Sequence, residues 1–348
     1  MGWLTSVLAS LVAAGAASGP PAPPHPVHLT IAASGDLLIH SPVFDRARAD
    51  GGGRTYDFRR MLRPLRPVIA RADLALCHME TPMGPGPPHG YPLFNTPSSL
   101  ARAIRATGWD VCDTASNHTL DGGAAGVAGT IHALDRAGVR HTGSAIFRSG
   151  SRRVVLLRAR GVRVAFLAYS AISNGQRAPH PWSLNVARTR RIVADARRAR
   201  RAGARVVIVN VHWGTEYVRR PSPGQLALAL ARGVLGSGAV TAIVGQHVHV
   251  VQAIRSVRGR PVVFGEGNLL SNQSAAAGLP AGSQDGLVAL LRITVRGRRA
   301  RLDRVDYVPT YVRHPDFSVL VGRHVPAASY ARTVAAAGRG RTWGPLPR

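Results

Sequence analysis

The stretch IVNVHWGTEY, residues 208–217, decides the fold because it joins an apolar strand to a group of reactive side chains. Its first half is apolar and largely β-branched, which is typical of a strand buried in a parallel sheet. The run stops at His212, and Glu216 and Tyr217 follow almost at once. If other strands end in the same way, their carboxyl ends form a site at one edge of the sheet.

Four other strand-like runs also end in side chains that bind metals or transfer protons. These runs span residues 28–34, 72–80, 109–116 and 240–249. Together with the first run, they deliver Asp36, Glu80, Asn117, His118, His212, His247 and His249. Ligands of open α/β sheets bind beyond the carboxyl ends of the strands, so we expect these residues to converge in space although they are far apart in the sequence.

Helix-like segments alternate with the strands, which predicts βαβ units and a largely parallel sheet. The segments span residues 97–107, 122–137, 185–202 and 224–236. Three hairpin patterns add antiparallel strands, and they span residues 152–170, 250–270 and 286–312. We therefore predict an α/β fold in which two sheets pack face to face and helices cover both outer faces, an αββα sandwich.

The chain is strongly cationic. It has 45 basic residues, all arginine, and 17 acidic residues among 348, which gives a net charge of +28. One interpretation is a coding bias toward arginine. The other is a surface that attracts polyanions such as teichoic acid, anionic lipid or polyglutamate. The arginines are scattered, are densest at residues 190–201 and are not interleaved with aromatic residues, which argues against a nucleic-acid partner.

The two ends of the chain differ in composition from its middle. Residues 1–26 have an apolar core, small residues and a Pro-rich spacer, which predicts a signal-like leader and an extracytoplasmic location. The alternative is a start codon placed upstream of a cytoplasmic protein. We assign residues 27–312 to one domain and expect residues 313–348 to form a basic tail with a short helix. Cys77 and Cys112 are expected as buried thiols that form a bridge only if their strands are neighbours.

The residues at the strand ends have the chemistry of a metal centre. Two carboxylates, three imidazoles and one amide carbonyl are ligands for Mn²⁺, Zn²⁺ or Fe. They are too many for one tetrahedral ion and fit two ions that share a carboxylate. Each motif alone has an ordinary alternative, since strand-end histidines are often structural and SNHTLDGG is also a turn sequence. Their joint occurrence at successive strand ends favours the metal centre.

The motifs ASGDLLIH, ALCHMETPMG, TASNHTLDGG, VHWGTEY, GQHVHVVQ and FGEGNLLS resemble, in this order, those of the CapA family. These are proteins of poly-γ-glutamate capsule synthesis within the calcineurin-like metallophosphoesterase superfamily. The resemblance covers residues 28 to about 310. It implies a two-sheet sandwich flanked by helices, in agreement with the fold predicted above.

The resemblance also implies a role for each strand-end residue. Asp36 and His249 would bind a first ion, and Glu80 would bridge the two ions, where most members of the superfamily have aspartate. The second ion would be held by Asn117, His212 and His247. His118 would stand beside the ions as a catalytic acid or an oxyanion stabiliser.

One superfamily ligand is missing from the sequence. The usual Asp-x-His motif has a leucine, Leu38, in place of its histidine. His40 is a candidate substitute, or else a supporting or surface residue. Further candidates for supporting the ligands or contacting substrate are Asp121, Glu216, Tyr217 and Asn268.

Three functions follow from these features. The first is a metal-dependent hydrolase or transferase that acts outside the cytoplasm on an anionic envelope polymer such as poly-γ-glutamate. The second is a phosphodiesterase or phosphatase for a soluble or lipid-linked phosphoester. The third is a non-catalytic capsule-assembly subunit that binds the polymer together with membrane partners. A complete ligand set favours the first two, because a binding module does not require it.

Overall fold

The computed structural model describes residues 25–230 and 234–346. The strands are β1 (Val27–Leu38), β2 (Leu74–Met79), β3 (Val111–Asp113), β4 (Arg140–Thr142), β5 (Val155–Ala159), β6 (Val162–Ser170), β7 (Val206–His212), β8 (Ala242–Gln246), β9 (Ile254–Val257), β10 (Arg260–Val263), β11 (Asn268–Ser271), β12 (Asp285–Arg296), β13 (Arg299–Arg313), β14 (Ser318–Val321) and β15 (Trp343–Pro345). The α-helices are α1 (Ser41–Asp50), α2 (Arg59–Leu62), α3 (Arg66–Ile69), α4 (Ser99–Thr107), α5 (Gly123–Ala137), α6 (Thr189–Arg201), α7 (Pro223–Leu230) and α8 (Ala327–Ala337).

The strands form two sheets. The first has the order β14-β13-β12-β1-β2-β3-β4, with β11 paired to β1 and β15 paired to β13. The second has the order β5-β6-β7-β8-β10-β9. Strands β1 to β4 run parallel to one another, as do β6, β7 and β8. The three expected hairpins are present as the antiparallel pairs β5–β6, β9–β10 and β12–β13.

The sheets pack face to face, and helices cover both outer faces. The core between the sheets contains Ile31 of β1 and Ile208 of β7. Alternate residues of β7 point the other way, and Val207 and Val209 pack with Ile192 of α6. Both faces of β7 are therefore buried, which explains why Asn210 is the one polar residue before His212 in this strand. Helices α1 to α4 cover the first sheet in the same way, so the predicted αββα sandwich is confirmed.

Strand register aligns polar residues across the first sheet. Asp36 of β1 lies opposite His78 of β2, and His78 lies opposite Asp113 of β3. On its other side, Asp36 lies opposite Asn268 of β11. The two cysteines are also in register, and Cys77 and Cys112 are joined by a disulfide with a Cα–Cα distance of 4.5 Å. Their strands are neighbours, which was the condition for a bridge.

The region after residue 312 contributes more to the fold than the expected helix and loose tail. Strands β14 and β15 both pair with β13. Helix α8 is tied to β12, because the Arg332 guanidinium Nε lies 2.8 Å from Asp285 Oδ2. These strands are only four and three residues long, which is too short to show a periodic pattern in the sequence.

The predicted leader lies almost entirely outside the described residues. Of the predicted leader, the structure describes His25 and Pro26. Over residues 25–230 and 234–346, no helix has both the length and the apolar character needed to cross a membrane.

Candidate metal centre

The six predicted ligands converge where strands of both sheets end. Asp36 lies near the end of β1, His212 ends β7, and the others follow β2, β3 and β8. All are buried, with 4% or less of their surface exposed: Asp36, Glu80, Asn117, His212, His247 and His249. Motifs that are far apart in the sequence thus form one site between the two sheets.

Two groups of potential ligands share one carboxylate. Asp36, Glu80 and His249 offer atoms that all lie within 4.8 Å of one another, and so do Glu80, His212 and His247. Membership of both groups places Glu80 between them. This is the arrangement expected for two ions with Glu80 as the bridge.

Several atoms of the site are buried without a hydrogen-bond partner, which tests whether the residues fit a metal. They are both carboxylate oxygens of Glu80, Oδ2 of Asp36 and Nδ1 of His247. Buried polar atoms are nearly always hydrogen-bonded, so a concentration of unpaired ones needs an explanation. Oxygen and imidazole nitrogen are ligands for Mn²⁺, Zn²⁺ and Fe, and divalent cations would satisfy these atoms. The residues present therefore fit a centre of divalent metal ions.

The first half of the site is an acid–imidazole cluster. Burial raises the pKa of Glu80 to about 7; the imidazole of His249 opposes this rise and the Asp36 carboxylate reinforces it. Burial alone would lower the pKa of His249, but Glu80 and Asp36 outweigh it and raise that pKa to about 9. For Asp36, the nearby His249 outweighs burial and lowers the pKa. Negative charge is thus concentrated where a cation would stabilise it.

The histidines of the second half are neutral. Burial, followed by the influence of His249, lowers the pKa of His247 to about 3. Burial and the neighbouring His247 also lower the pKa of His212 well below its usual value. Neutral imidazole is the form that binds metals.

Hydrogen bonds orient His249 in the first half. Its Nδ1 lies 3.0 Å from Oδ1 of Asn268. The Asn268 amide donates to Gln273 and to the Ser283 carbonyl, so Oδ1 is an acceptor and Nδ1 of His249 carries the hydrogen. Nε2 of His249 then faces Glu80 Oε1 at 3.6 Å. Asn268, predicted as a supporting residue, lies in the position to do this.

The backbone that carries these histidines is strained. His247 and His249 have φ values of 92° and 55°, and Tyr217 beside them has a φ of 62°. Positive φ is uncommon for residues other than glycine and clusters at functional sites. The preceding Gly245 has no room for a side chain, since a Cβ atom would lie 2.2 Å from the Trp213 ring nitrogen.

His118 is held by Asp121 at the edge of the site. Its Nδ1 lies 2.8 Å from Asp121 Oδ2, which also accepts a hydrogen bond from the Phe94 backbone. The Phe94 ring packs edge-on against His118 with a centroid distance of 4.6 Å. The other carboxylate oxygen of Asp121 accepts from Gln176 at 2.8 Å. An acceptor-only carboxylate fixes hydrogen on Nδ1 and leaves Nε2 of His118 available.

His40 joins neither ligand group. Its Nδ1 lies 3.1 Å from the Leu38 carbonyl, and its ring packs edge-on against Phe94 at 5.2 Å. Burial lowers the pKa of His40 to about 4. Among the candidate ligand groups of the described residues, none contains His40. It therefore supports the wall of the site rather than replacing the histidine absent at position 38.

Glu216 and Tyr217 lie beside His249. Glu216 is exposed and forms a further candidate group with His247 and His249. The Tyr217 hydroxyl accepts a hydrogen bond from Gln273 at 3.0 Å, and its ring centroid lies 6.0 Å from that of His249. Trp213 is buried and donates its ring N–H to the Phe264 carbonyl at 2.9 Å, which makes it a core residue behind the site.

Sequence reasoning missed a set of buried polar residues behind His212. His78, Asp113 and Asn210 are each 1% exposed or less and lie on three strands. A signal was present, because His78 is two residues before Glu80 and alternate residues of a strand share a face. Burial lowers the pKa of His78, but the carboxylates of Asp113, Asp36 and Glu80 outweigh it and raise that pKa to about 9. Cations bound to Asp36 and Glu80 would counteract this rise and favour neutral His78.

The fold is that of the calcineurin-like phosphoesterases. The structure is similar to that of the calcineurin-like phosphoesterase YfkN from Bacillus subtilis, with a TM-score of 0.52 and 15% identity over 89% of this chain and 96% of that one. The sandwich and the position of the site at strand ends therefore define the class of the protein.

Within this class, the chain belongs to the bacterial capsule synthesis protein family PGA_cap, which matches residues 30–273. It is 28% identical over 257 residues to the capsule biosynthesis protein CapA of Bacillus anthracis, covering 70% of this chain and 60% of that protein. It is 25% identical over 236 residues to a probable polyglutamine synthesis accessory protein of Mycobacterium tuberculosis, covering 60% of this chain and 61% of that protein. The matches thus span about three fifths of these relatives, and the resemblance to the CapA family is confirmed.

Proposed function

We propose that the protein is a hydrolase that uses two divalent ions, Mn, Zn or Fe, to cleave an anionic cell-envelope polymer of the poly-γ-glutamate type. The observation that carries this proposal is the pair of buried ligand groups that share Glu80. The capsule names of its relatives support an envelope polymer and a location outside the cytoplasm.

Each half of the site has a distinct task. Asp36 and His249 would hold one ion, Asn117, His212 and His247 the other, and Glu80 both. Paired ions supply Lewis-acid polarisation and an activated water. His118 binds Asp121 through Nδ1, so Nε2 is left to donate a proton to the leaving group as the scissile bond breaks.

A basic cleft supports a polymeric anion as the substrate. Four arginines and one aspartate line it beside Trp182: Arg148, Arg152, Arg191, Arg198 and Asp195. The loop that carries Trp182 also reaches the metal centre, where Asn174 Oδ1 accepts a hydrogen bond from Asn117 at 3.1 Å. Trp182 is eight positions after Asn174, which corresponds to at most about 29 Å of chain. A long anion could occupy the centre and the cleft together.

The second candidate is hydrolysis of a phosphoester. The shared carboxylate between two groups of nitrogen and oxygen ligands favours it, because such centres also clamp phosphoesters. Both candidates predict metal-dependent cleavage, and they differ in the bond that is cleaved.

The test is to load the full chain with Mn²⁺, Zn²⁺ or Fe²⁺ and to assay two substrates. Cleavage of poly-γ-glutamate is followed by new amino groups, and cleavage of a bis(nitrophenyl) phosphate by nitrophenolate. His212→Ala is the control for contaminating activity. Polymer cleavage that depends on His212 supports the proposal, whereas phosphodiester cleavage alone supports the second candidate. Polymer binding without any cleavage by metal-loaded protein would identify a non-catalytic assembly subunit and overturn both.

The cleft makes a separate prediction about polymer affinity. Replacing Arg148 and Arg152 with Gln should weaken polyglutamate binding by roughly 2–30-fold, because exposed ion pairs contribute about 0.2–1 kcal/mol each. Replacing Arg296 and Arg299 removes the same charge near the β12–β13 turn, where β12 pairs with the start of β1. Binding is measured at low and physiological salt, which screens charges beyond about 8 Å. Equal losses in the two double variants would show a general charge effect and no cleft.

A further inference from the structure

A line of buried polar side chains runs from the first sheet to the metal centre. Oδ2 of Asp113 lies 2.9 Å from Nδ1 of His78, and Nε2 of His78 lies 3.0 Å from Nδ1 of His212. Nε2 of His212 in turn lies 2.9 Å from Oδ1 of Asn117. The first three side chains are fully buried. The line therefore ends on a proposed ligand of the second ion.

The direction of the hydrogen bonds is fixed at Asp113. Oδ1 accepts from the Ala115 backbone N–H at 2.6 Å, and Oδ2 accepts from the side-chain amide of Asn210. Both oxygens are acceptors, so Nδ1 of His78 carries a hydrogen and donates it to Oδ2. His78 can then offer the lone pair of Nε2 to His212.

An imidazole binds an ion through a nitrogen that carries no hydrogen. For Nε2 of His212 to face the second ion, its hydrogen must sit on Nδ1. The group opposite Nδ1 is Nε2 of His78, which is able to accept that hydrogen. Outer hydrogen bonds of this kind set the tautomer and the ring orientation of histidine ligands.

We propose that Asp113 and His78 are positioning residues that fix the Nδ1–H tautomer of His212 and so present its Nε2 to the second ion. This inference rests on the proposed two-ion centre. His78 Nε2 also lies 3.7 Å from Asp36 Oδ1, which is within ion-pair range but too long for a hydrogen bond. His78 also forms a candidate ligand group with Asp36 and His212, and its hydrogen-bond contact within that group is the 3.0 Å contact with His212.

Asp113→Asn tests the direction of the hydrogen bonds along this line, because it changes the shape of the side chain very little. The bond from the Ala115 N–H holds the amide oxygen on that side, so the new NH₂ group faces His78. His78 must then accept at Nδ1, carry its hydrogen on Nε2 and donate to His212. His212 is left with its hydrogen on Nε2 and cannot bind the ion. We expect the affinity for the second zinc ion to fall by about 10–100-fold.

Two variants of His78 form a matched pair. His78→Gln keeps an acceptor that can reach His212 Nδ1, whereas His78→Leu fills similar space without one. We expect His78→Leu to lower the affinity for the second zinc ion as much as Asp113→Asn does. We expect His78→Gln to retain most of the wild-type affinity. A purely structural role would not distinguish an acceptor from an apolar side chain in this way.

The readouts are zinc affinity by chelator competition, zinc content by elemental analysis, and the ¹⁵N shifts of His212 in the full-length protein at saturating zinc. Wild type should show Nδ1–H and Asp113→Asn should show Nε2–H. Equal second-ion affinity in wild type, Asp113→Asn and His78→Leu would overturn the inference. Loss of an ion in His78→Gln as well as in His78→Leu would make His78 a ligand and overturn it too. Fewer than two ions in wild type would instead contradict the two-ion centre itself. If Asp113→Asn does not fold, the His78 pair decides.

Discussion

The two halves of the metal centre share Glu80 but are supported differently. In the second half, His212 Nδ1 faces His78, and its Nε2 lies 2.9 Å from Oδ1 of Asn117, another proposed ligand of the same ion. In the first half, Asn268 orients His249, but Leu38 stands where the superfamily has an additional histidine ligand. The second half therefore has the more complete ligand set. We expect its ion to be bound more tightly and the first ion to be the one that chelators remove first.

The buried carboxylates behind the centre show a similar contrast. Asp113 has a histidine, an amide and a backbone N–H as partners. Glu266 accepts one hydrogen bond from Gln246 at 2.7 Å, and its Oε1 has no partner. Burial raises the pKa of Glu266 to about 8. Burial raises the pKa of Asp113 as well, but its histidine, backbone and amide partners all oppose that rise, whereas the main group that opposes it at Glu266 is the neutral amide of Gln246.

The largest expected effect comes from the residue that the halves share. Glu80→Gln should reduce the metal content from about two ions to nearly none, because paired-ion centres depend on the bridging carboxylate. Asp36→Asn should cost only the first ion and leave the second. Elemental analysis after reconstitution measures both. A Glu80→Gln protein that keeps one full ion would show that the halves are independent and that Glu80 is not a bridge.

A smaller effect is expected at His118, which follows a ligand of the second half. His118→Ala should retain the metal, because the ligands are intact, and should slow cleavage of substrates with poor leaving groups by about 10²–10⁴-fold. Turnover of nitrophenyl substrates, whose leaving group needs no proton, should fall much less. Turnover on the two kinds of substrate and metal content are measured together. Equal losses would point to oxyanion or substrate binding, and loss of metal would make His118 a support of the second half.

The smallest effect is on stability at Glu266. Its pKa in the folded protein is raised from 4.5 to about 8, so the folded state holds this proton more tightly than the unfolded chain does. Its contribution is fully present below about pH 4.5 and is lost as the pH rises toward about 8. Glu266→Gln keeps the hydrogen-bond acceptor and removes the titration. The free energy of unfolding, measured with urea at about pH 5 and about pH 8, should fall less in the variant than in wild type. The difference between the two falls should be at most about 5 kcal/mol.

Asp45→Asn, at an exposed position, serves as the control for the loss of one carboxylate. If wild type and Glu266→Gln lose the same stability between the two pH values, Glu266 ionises freely, and the contrast with Asp113 is wrong.

The sequence by itself determined the sandwich and the set of residues that meet at the candidate site. Strand and helix patterns are local, and β7 shows its burial on both faces in its own residues. The rule that ligands lie beyond strand ends needs no knowledge of register. For these reasons, the sequence alone is enough to group Asp36, Glu80, His212, His247 and His249 at one site.

Only the tertiary structure decided how these residues are supported. The register of β2 against β3 sets His78 beside Asp113 and Cys77 beside Cys112, and it depends on contacts between distant parts of the chain. The same holds for the pairing of β14 and β15 with β13, since strands of three or four residues are too short to have a periodic pattern. Which nitrogen of His212 faces the centre depends on partners 95 and 134 residues away in sequence, and no local pattern carries that information because hydrogen-bond direction is set by the groups that meet in space.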